Sequence, residues 1–144
     1  MASIFTKIVK GDIPAFKIAE DENFLAFLDV FPLAKGHVLV IPKQEIDSIF
    51  DLSDESYANL WLFAKTTANA LKMAIPCKRI GIAVIGLEVP HAHIHLIPLQ
   101  TVEDINFSKP KLNIASEEMA EIAEKIISEL SSLNQSDPDC FLQN

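Results

Sequence analysis

The sequence predicts an α+β fold, a mostly antiparallel sheet of about five strands with one long helix and one C-terminal helix. Three observations lead to this class. Short β-prone runs follow one another through turn-forming residues between positions 16 and 42, and again between 79 and 99. Two longer segments, after Ser53 and after Ser116, carry apolar residues at the helical period. No repeat, low-complexity tract or Gly/Pro-rich linker divides the chain. Residues 1–130 are therefore expected as one domain and 131–144 as a polar tail, partly frayed.

The elements follow in order. Ile4, Phe5, Ile8 and Val9 recur at helix-like spacing within Ser3–Lys10, and Gly11 with Pro14 beyond it ends that short helix. Phe16–Ala19 reads as a weak strand, and Phe24–Val30, after the turn-prone Asp21-Glu22-Asn23, as a stronger one. Pro32–Gly36 makes a loop before the β-branched run His37–Pro42. Ser53 or Asp54 suits the N-cap of a helix from Glu55 to Ala74, in which Leu60, Phe63, Ala64, Thr67, Ala70 and Leu71 form one stripe. Pro76 stops it. Arg79–Ile85 is the next strand, Gly86–Pro90 a tight connection, and His91–Leu99 the last strand. After a polar stretch through Asn113, Ser116 caps a final helix whose stripe is Met119, Ile122, Ala123, Ile126, Ile127 and Leu130. The helices should pack on one face of the sheet.

Composition bounds the partners. With 144 residues, 49% of them hydrophobic, the chain can bury a full core. Its formal net charge of -8 argues against long nucleic acid, which needs a phosphate-neutralising patch, yet leaves room for a single nucleotide. Cys77 and Cys140 do not make a disulfide framework and read as reduced thiols. The N-terminus lacks a basic start followed by an apolar run, and no apolar stretch approaches the roughly 20 residues that span a bilayer. A cytoplasmic protein with no membrane partner is expected.

Three of the four histidines fall at positions 91, 93 and 95. Side chains alternate along a strand, so these three share one face, while Ala92, Ile94 and Leu96 point to the other as a core row. A metal site is one explanation. However, the outer pair would sit roughly 13 Å apart at Cα, too far for three imidazoles to reach one ion at about 2.0 Å. Two could bind with help from elsewhere, but the segment brings no cysteine pair and few carboxylates, and no metal is expected. The other explanation is a row of imidazoles laid along an extended anionic ligand. Neutral imidazole is a good nucleophile near pH 7, and it forms a phosphorus–nitrogen bond that water can cleave.

The octet His91-Ala92-His93-Ile94-His95-Leu96-Ile97-Pro98 resembles the signature of the histidine-triad (HIT) family. The resemblance extends to Ile4-Phe5, Ile8, Gly11–Ala15, Phe24–Asp29 and Gly36–Lys43, covering about Ser3 to Leu99, and leans to the nucleoside-phosphoramidase-like branch. It implies that His93 attacks the α-phosphorus of a nucleoside phosphoramidate or polyphosphate to form a nucleotidyl-histidine intermediate. It further implies that His95 donates to a phosphate oxygen, His91 orients the row and His37 completes the site. Asp29 would accept hydrogen bonds from the ribose hydroxyls, and Phe5, Ile8, Ile13 and Phe27 would line the base slot. A homodimer through the long helix (Tyr57–Met73, with Trp61 on its flank) and the adjoining edge strand is implied, and no cofactor.

Three departures from the family pattern bear on function. Positions that hold a structural zinc in some relatives, through a cysteine pair and a histidine, carry Ser3, Thr6 and Glu45 here. The connection before the triad is short, and Ala83-Val84-Ile85-Gly86-Leu87 offers no match for the phosphate-side Asn and Gln of relatives. Glu88 stands where relatives often carry Ser, Thr or Gly beside the leaving group, and a carboxylate there would favour an amine leaving group. The alternative to an enzyme is a nucleotide-binding or interaction protein with little turnover.

Overall fold

The computed structural model describes residues 2–136. Five strands form one sheet: β1 (Lys17–Glu20), β2 (Phe24–Leu28), β3 (Val38–Pro42), β4 (Arg79–Ala83) and β5 (Ile94–Leu99). Their spatial order is β1-β2-β3-β5-β4, and every neighbouring pair is antiparallel. Three helices complete the α+β architecture: α1 (Ile4–Val9), α2 (Asp54–Ala74) and α3 (Ser116–Ser136). Among the described residues, no helix is long and apolar enough to cross a membrane.

Local chemistry explains the helix ends. Ser3 caps α1 by accepting the Thr6 N–H at 3.0 Å, and Gly11 leaves the helix with φ 83°. Ser53, rather than Asp54, caps α2 by accepting the Ser56 N–H at 3.2 Å. That leaves Asp54 and Glu55 in the first turn, where the helix dipole favours them. The C-terminal helix continues past Leu130 to Ser136, six residues into the segment expected as tail. The rest of that tail, with Cys140 and the run 137–141, lies outside the described residues.

Both faces of the central strands are buried, and the two faces divide the labour. Ala26, Leu28, Val38, Val40, Ile94 and Leu96 face α2 and α3 and pack with Leu60, Ala64, Leu71 and Ile126. Leu25, Phe27, Leu39 and Ile41 face the other way and pack with Phe5 and Ile8. The two long helices therefore share one face, as expected from sequence, while the short α1 packs on the opposite side. The reason is that β2 and β3 read as continuous apolar runs, with a second hydrophobic surface that α1 covers.

The last strand also differs from expectation. Pairing starts at Ile94, not His91, because the Ala92 N–H donates to the Ile46 carbonyl at 2.7 Å and the His91 N–H to the Val89 carbonyl at 2.8 Å. Those donors leave the ladder, although alternation persists, since Ala92 still joins the helix-side core. Two further strands end early, β2 at Leu28 and β4 at Ala83. The polar stretch after β5 is ordered as well. Val102–Ile105 form a 3₁₀ turn closed by a Thr101/Asp104 capping box, and the Leu112 N–H donates to the Pro32 carbonyl at 2.8 Å.

Candidate active site

A cleft of about 490 Å³ opens on the α1 side of the sheet. Its position follows from strand parity. Phe27, Leu39 and His95 stand in one row across β2, β3 and β5, with Leu39 paired to both neighbours. One step along, the Asp29 N–H donates to the His37 carbonyl at 2.9 Å, which sets those two residues side by side at the strand ends. The cleft brings together His37, His93, His95, Asp29, Phe5, Ile8, Ile13, Phe27 and Glu88. His91 is the one expected site residue that does not line it. Its ring is fully buried behind Phe5, whose ring meets His91 at 5.8 Å and His93 at 5.0 Å between centroids.

Hydrogen-bond partners with one possible role assign the protons on the rings. The Leu33 N–H must donate, so His37 Nδ1 accepts it at 3.0 Å and the His37 proton sits on Nε2. That Nε2–H donates to His95 Nδ1 at 2.9 Å, which places the His95 proton on its own Nε2. His93 Nδ1 lies 2.7 Å from the His91 carbonyl oxygen, which can only accept, so Nδ1 carries a proton, and in the neutral ring Nε2 keeps its lone pair. His93 and His95 stand 4.9 Å apart between ring centroids. The cleft thus presents an unprotonated nitrogen and an N–H donor on adjacent rings, the pair that attack at phosphorus needs.

Charge states agree with this assignment. Burial, reinforced by the neighbouring His95, pushes His37 down to about 3, and burial followed by His93 pushes His95 down to about 4. Both are neutral at pH 7, so the 3.7 Å approach of His37 Nε2 to Asp29 Oδ2 is not an ion pair. Burial raises the Asp29 carboxyl, against a bond from the Phe31 N–H to Oδ1 at 2.9 Å. Asp29, His37 and His95 have ligand atoms within 4.8 Å of one another. Two nitrogens 2.9 Å apart, each about 2.05 Å from an ion, would subtend roughly 90° there, well short of the tetrahedral angle zinc prefers.

Among the lining residues that sequence reasoning missed are Phe107 and Lys111. Phe107 packs edge-on against His95 at 4.8 Å and His37 at 6.4 Å. Lys111 lies over the Phe107 ring at 5.3 Å. Within a polar stretch, the lone aromatic Phe107 was the available signal.

A family model described as HIT domain matches residues 10–102. The chain belongs to the HIT family. Adenosine 5'-monophosphoramidase of Schizosaccharomyces pombe is 38% identical over 133 residues, covering 90% of this chain and 99% of its own. The adenosine 5'-monophosphoramidase of Saccharomyces cerevisiae is 40% identical over 98 residues, 67% of this chain and 62% of its own. Among solved structures, a zinc-bound histidine triad family protein from Mycobacterium smegmatis superposes with TM-score 0.78 at 29% identity, covering 95% of this chain and 99% of that one.

The zinc positions of some HIT relatives converge in this chain with hydroxyls in place of the cysteine pair and a carboxylate in place of the histidine. Ser3 Oγ donates to His91 Nδ1 at 2.8 Å, since His91 Nε2–H is already given to the Pro42 carbonyl at 2.7 Å. Thr6 Oγ1 donates to Glu45 Oε1 at 2.7 Å, and the Ser3 N–H donates to the same oxygen. Those bonds, the Ser3 N–H first, hold the Glu45 carboxyl down at about 2. Both His91 nitrogens are engaged and the two hydroxyls are not zinc ligands of the usual kind, so the Glu45 carboxylate is the single donor left and the set does not fit zinc. Hydrogen bonds join α1 to His91 instead. Ser3→Ala is expected to lower unfolding free energy by about 1–3 kcal/mol, because buried His91 Nδ1 loses its donor. Urea denaturation of the two proteins reads this directly.

Proposed function

We propose that this HIT protein hydrolyses nucleoside phosphoramidates at the α-phosphorus through a covalent nucleotidyl-His93 intermediate. One observation carries the proposal: His93, whose Nδ1–H is bound to the His91 carbonyl so that Nε2 is the nucleophilic nitrogen of the neutral ring, and the His95 Nε2–H donor belong to adjacent rings lining one cleft. The adenosine 5'-monophosphoramidase activity named for the two yeast relatives supports the same reading.

In the proposed reaction, His93 Nε2 forms a bond to phosphorus. The phosphorus–nitrogen bond to the leaving amine breaks, and the amine departs with the electron pair and takes up a proton. The ring becomes cationic at that step, and the His91 carbonyl on Nδ1–H stabilises it. His95 Nε2–H, oriented through His37, donates to a non-bridging oxygen as charge builds there. Water then attacks phosphorus, the bond to His93 breaks, and the nucleoside monophosphate leaves. Asp29 Oδ2 is the oxygen left to accept from the ribose, Oδ1 being held by Phe31. Phe5, Ile8, Ile13 and Phe27 form the apolar slot for the base. Glu88, exposed at the cleft, suits an amine leaving group over a polyphosphate.

Wild-type protein mixed with adenosine phosphoramidate is expected to release AMP and ammonia, with diadenosine polyphosphates turned over more slowly. Tight AMP binding without release would instead favour a nucleotide-binding protein of little turnover. The cytoplasm remains the expected compartment.

A homodimer is proposed through β4, an edge strand of the sheet whose Ile82 is 52% exposed. Sedimentation equilibrium is expected to read the mass of two chains, and Ile82→Lys to return it to one. A wild-type monomer at micromolar concentration would refute this.

A further inference from the structure

We propose that Lys111 is the phosphate-binding cation of the cleft, supplying from the loop after β5 the contact that the segment before the triad lacks. The inference rests on the nucleotide reading of the site and adds a specificity-determining residue to it.

Charge makes the case first. Among the described residues lining the cleft, the side chains of fixed charge are Asp29, Glu88 and Lys111. The histidines beside them, His37 and His95, are neutral at pH 7 because burial lowers both. The chain itself carries a net charge of -8. A phosphorylated ligand would therefore meet two carboxylates and one lysine, and removing Lys111 takes away the one Lys or Arg side chain among the described lining residues. The run Ala83-Val84-Ile85-Gly86-Leu87 has no side chain that donates a hydrogen bond.

Geometry makes it second. Lys111 Nζ donates to the Phe107 carbonyl at 2.9 Å and sits over the Phe107 ring, which itself packs on His95. One aromatic ring thus separates the ammonium from the histidine assigned to the phosphate oxygens. The backbone there is fixed: Pro110 precedes Lys111, and the Leu112 N–H that follows it bonds the Pro32 carbonyl in the loop beyond Asp29. The side chain is exposed and free to exchange a neutral carbonyl for an anionic oxygen. The matched family region ends at residue 102, so this cation belongs to a part of the chain outside it.

Calorimetric titration of the full chain with AMP and with adenosine, at low and high salt, tests the assignment. Lys111→Met is expected to weaken AMP binding about tenfold or more and leave adenosine unchanged, whereas Lys111→Arg keeps most of the AMP affinity. Lys109→Met makes the same change of net charge on the same loop, away from the cleft lining, and should leave both affinities unchanged. AMP affinity that survives Lys111→Met, or that falls equally for adenosine and for the Lys109 variant, overturns the proposal. Wild-type protein that binds neither ligand overturns it together with the nucleotide reading. Lys111-dependent AMP binding without phosphoramidate turnover sinks the catalytic reading and upholds this one.

Discussion

His93→Ala is expected to lower the single-turnover rate on adenosine phosphoramidate by on the order of 10⁴-fold or more, because removing a nucleophile deletes the first chemical step. Its Nε2 is the one ring nitrogen of the His93–His95 pair left with a lone pair toward reaction, given the proton placement set by the His91 carbonyl and by His37. Neither His95 nor His37 can substitute, since each commits its own lone pair at Nδ1 to an N–H donor. Rapid mixing with acid quench and intact-mass measurement should detect the nucleotidyl adduct on wild type and not on the variant. Full turnover by His93→Ala would end the covalent proposal, whatever the wild type does.

Acid is expected to destabilise the protein well above the range where carboxylates titrate. Unfolded histidine titrates near 6.5. Folded His37 is held down to about 3 and His95 to about 4, so across the interval between these values the unfolded chain binds more protons. Stability must then fall as pH falls, and each histidine contributes a loss of about 2 kcal/mol between pH 7 and pH 5. His91, lowered chiefly by burial, acts in the same direction. Asp29, raised chiefly by burial, opposes it, but only near the carboxylate range. Urea unfolding at the two pH values measures the loss, and His37→Phe should cut it by about half. Equal stability at pH 7 and pH 5 would show that these rings do not stay neutral in the folded protein.

Much of this molecule is legible locally. Ser3 and Ser53 mark helix starts because a hydroxyl satisfies an orphan N–H three residues on, which is a short-range event, whereas Ser116, expected as a cap, is the first residue inside its helix. The triad alternation is short-range too. Ala92, Ile94 and Leu96 enter the helix-side core, while His93 and His95 turn to the cleft. The placement of α1 was not legible in the same way. Its own stripe of Ile4, Phe5 and Ile8 says that it packs, but not on which side of the sheet, since β2 and β3 are apolar on both faces.

The amino-acid sequence on its own determined that three imidazoles lie along one extended segment and that the elements around it build an antiparallel α+β sheet. Both are consequences of backbone period and of caps within a few residues. Only the tertiary structure decided what each imidazole can do. His91 is withdrawn from the cleft by Ser3, 88 positions away, and the His95 proton is placed by His37, 58 positions away. The cation beside them arrives on a loop whose composition looked like solvent-exposed connection. A ring nitrogen has no fixed role until the fold chooses the donor or acceptor that faces it, and no local pattern of residues specifies that partner.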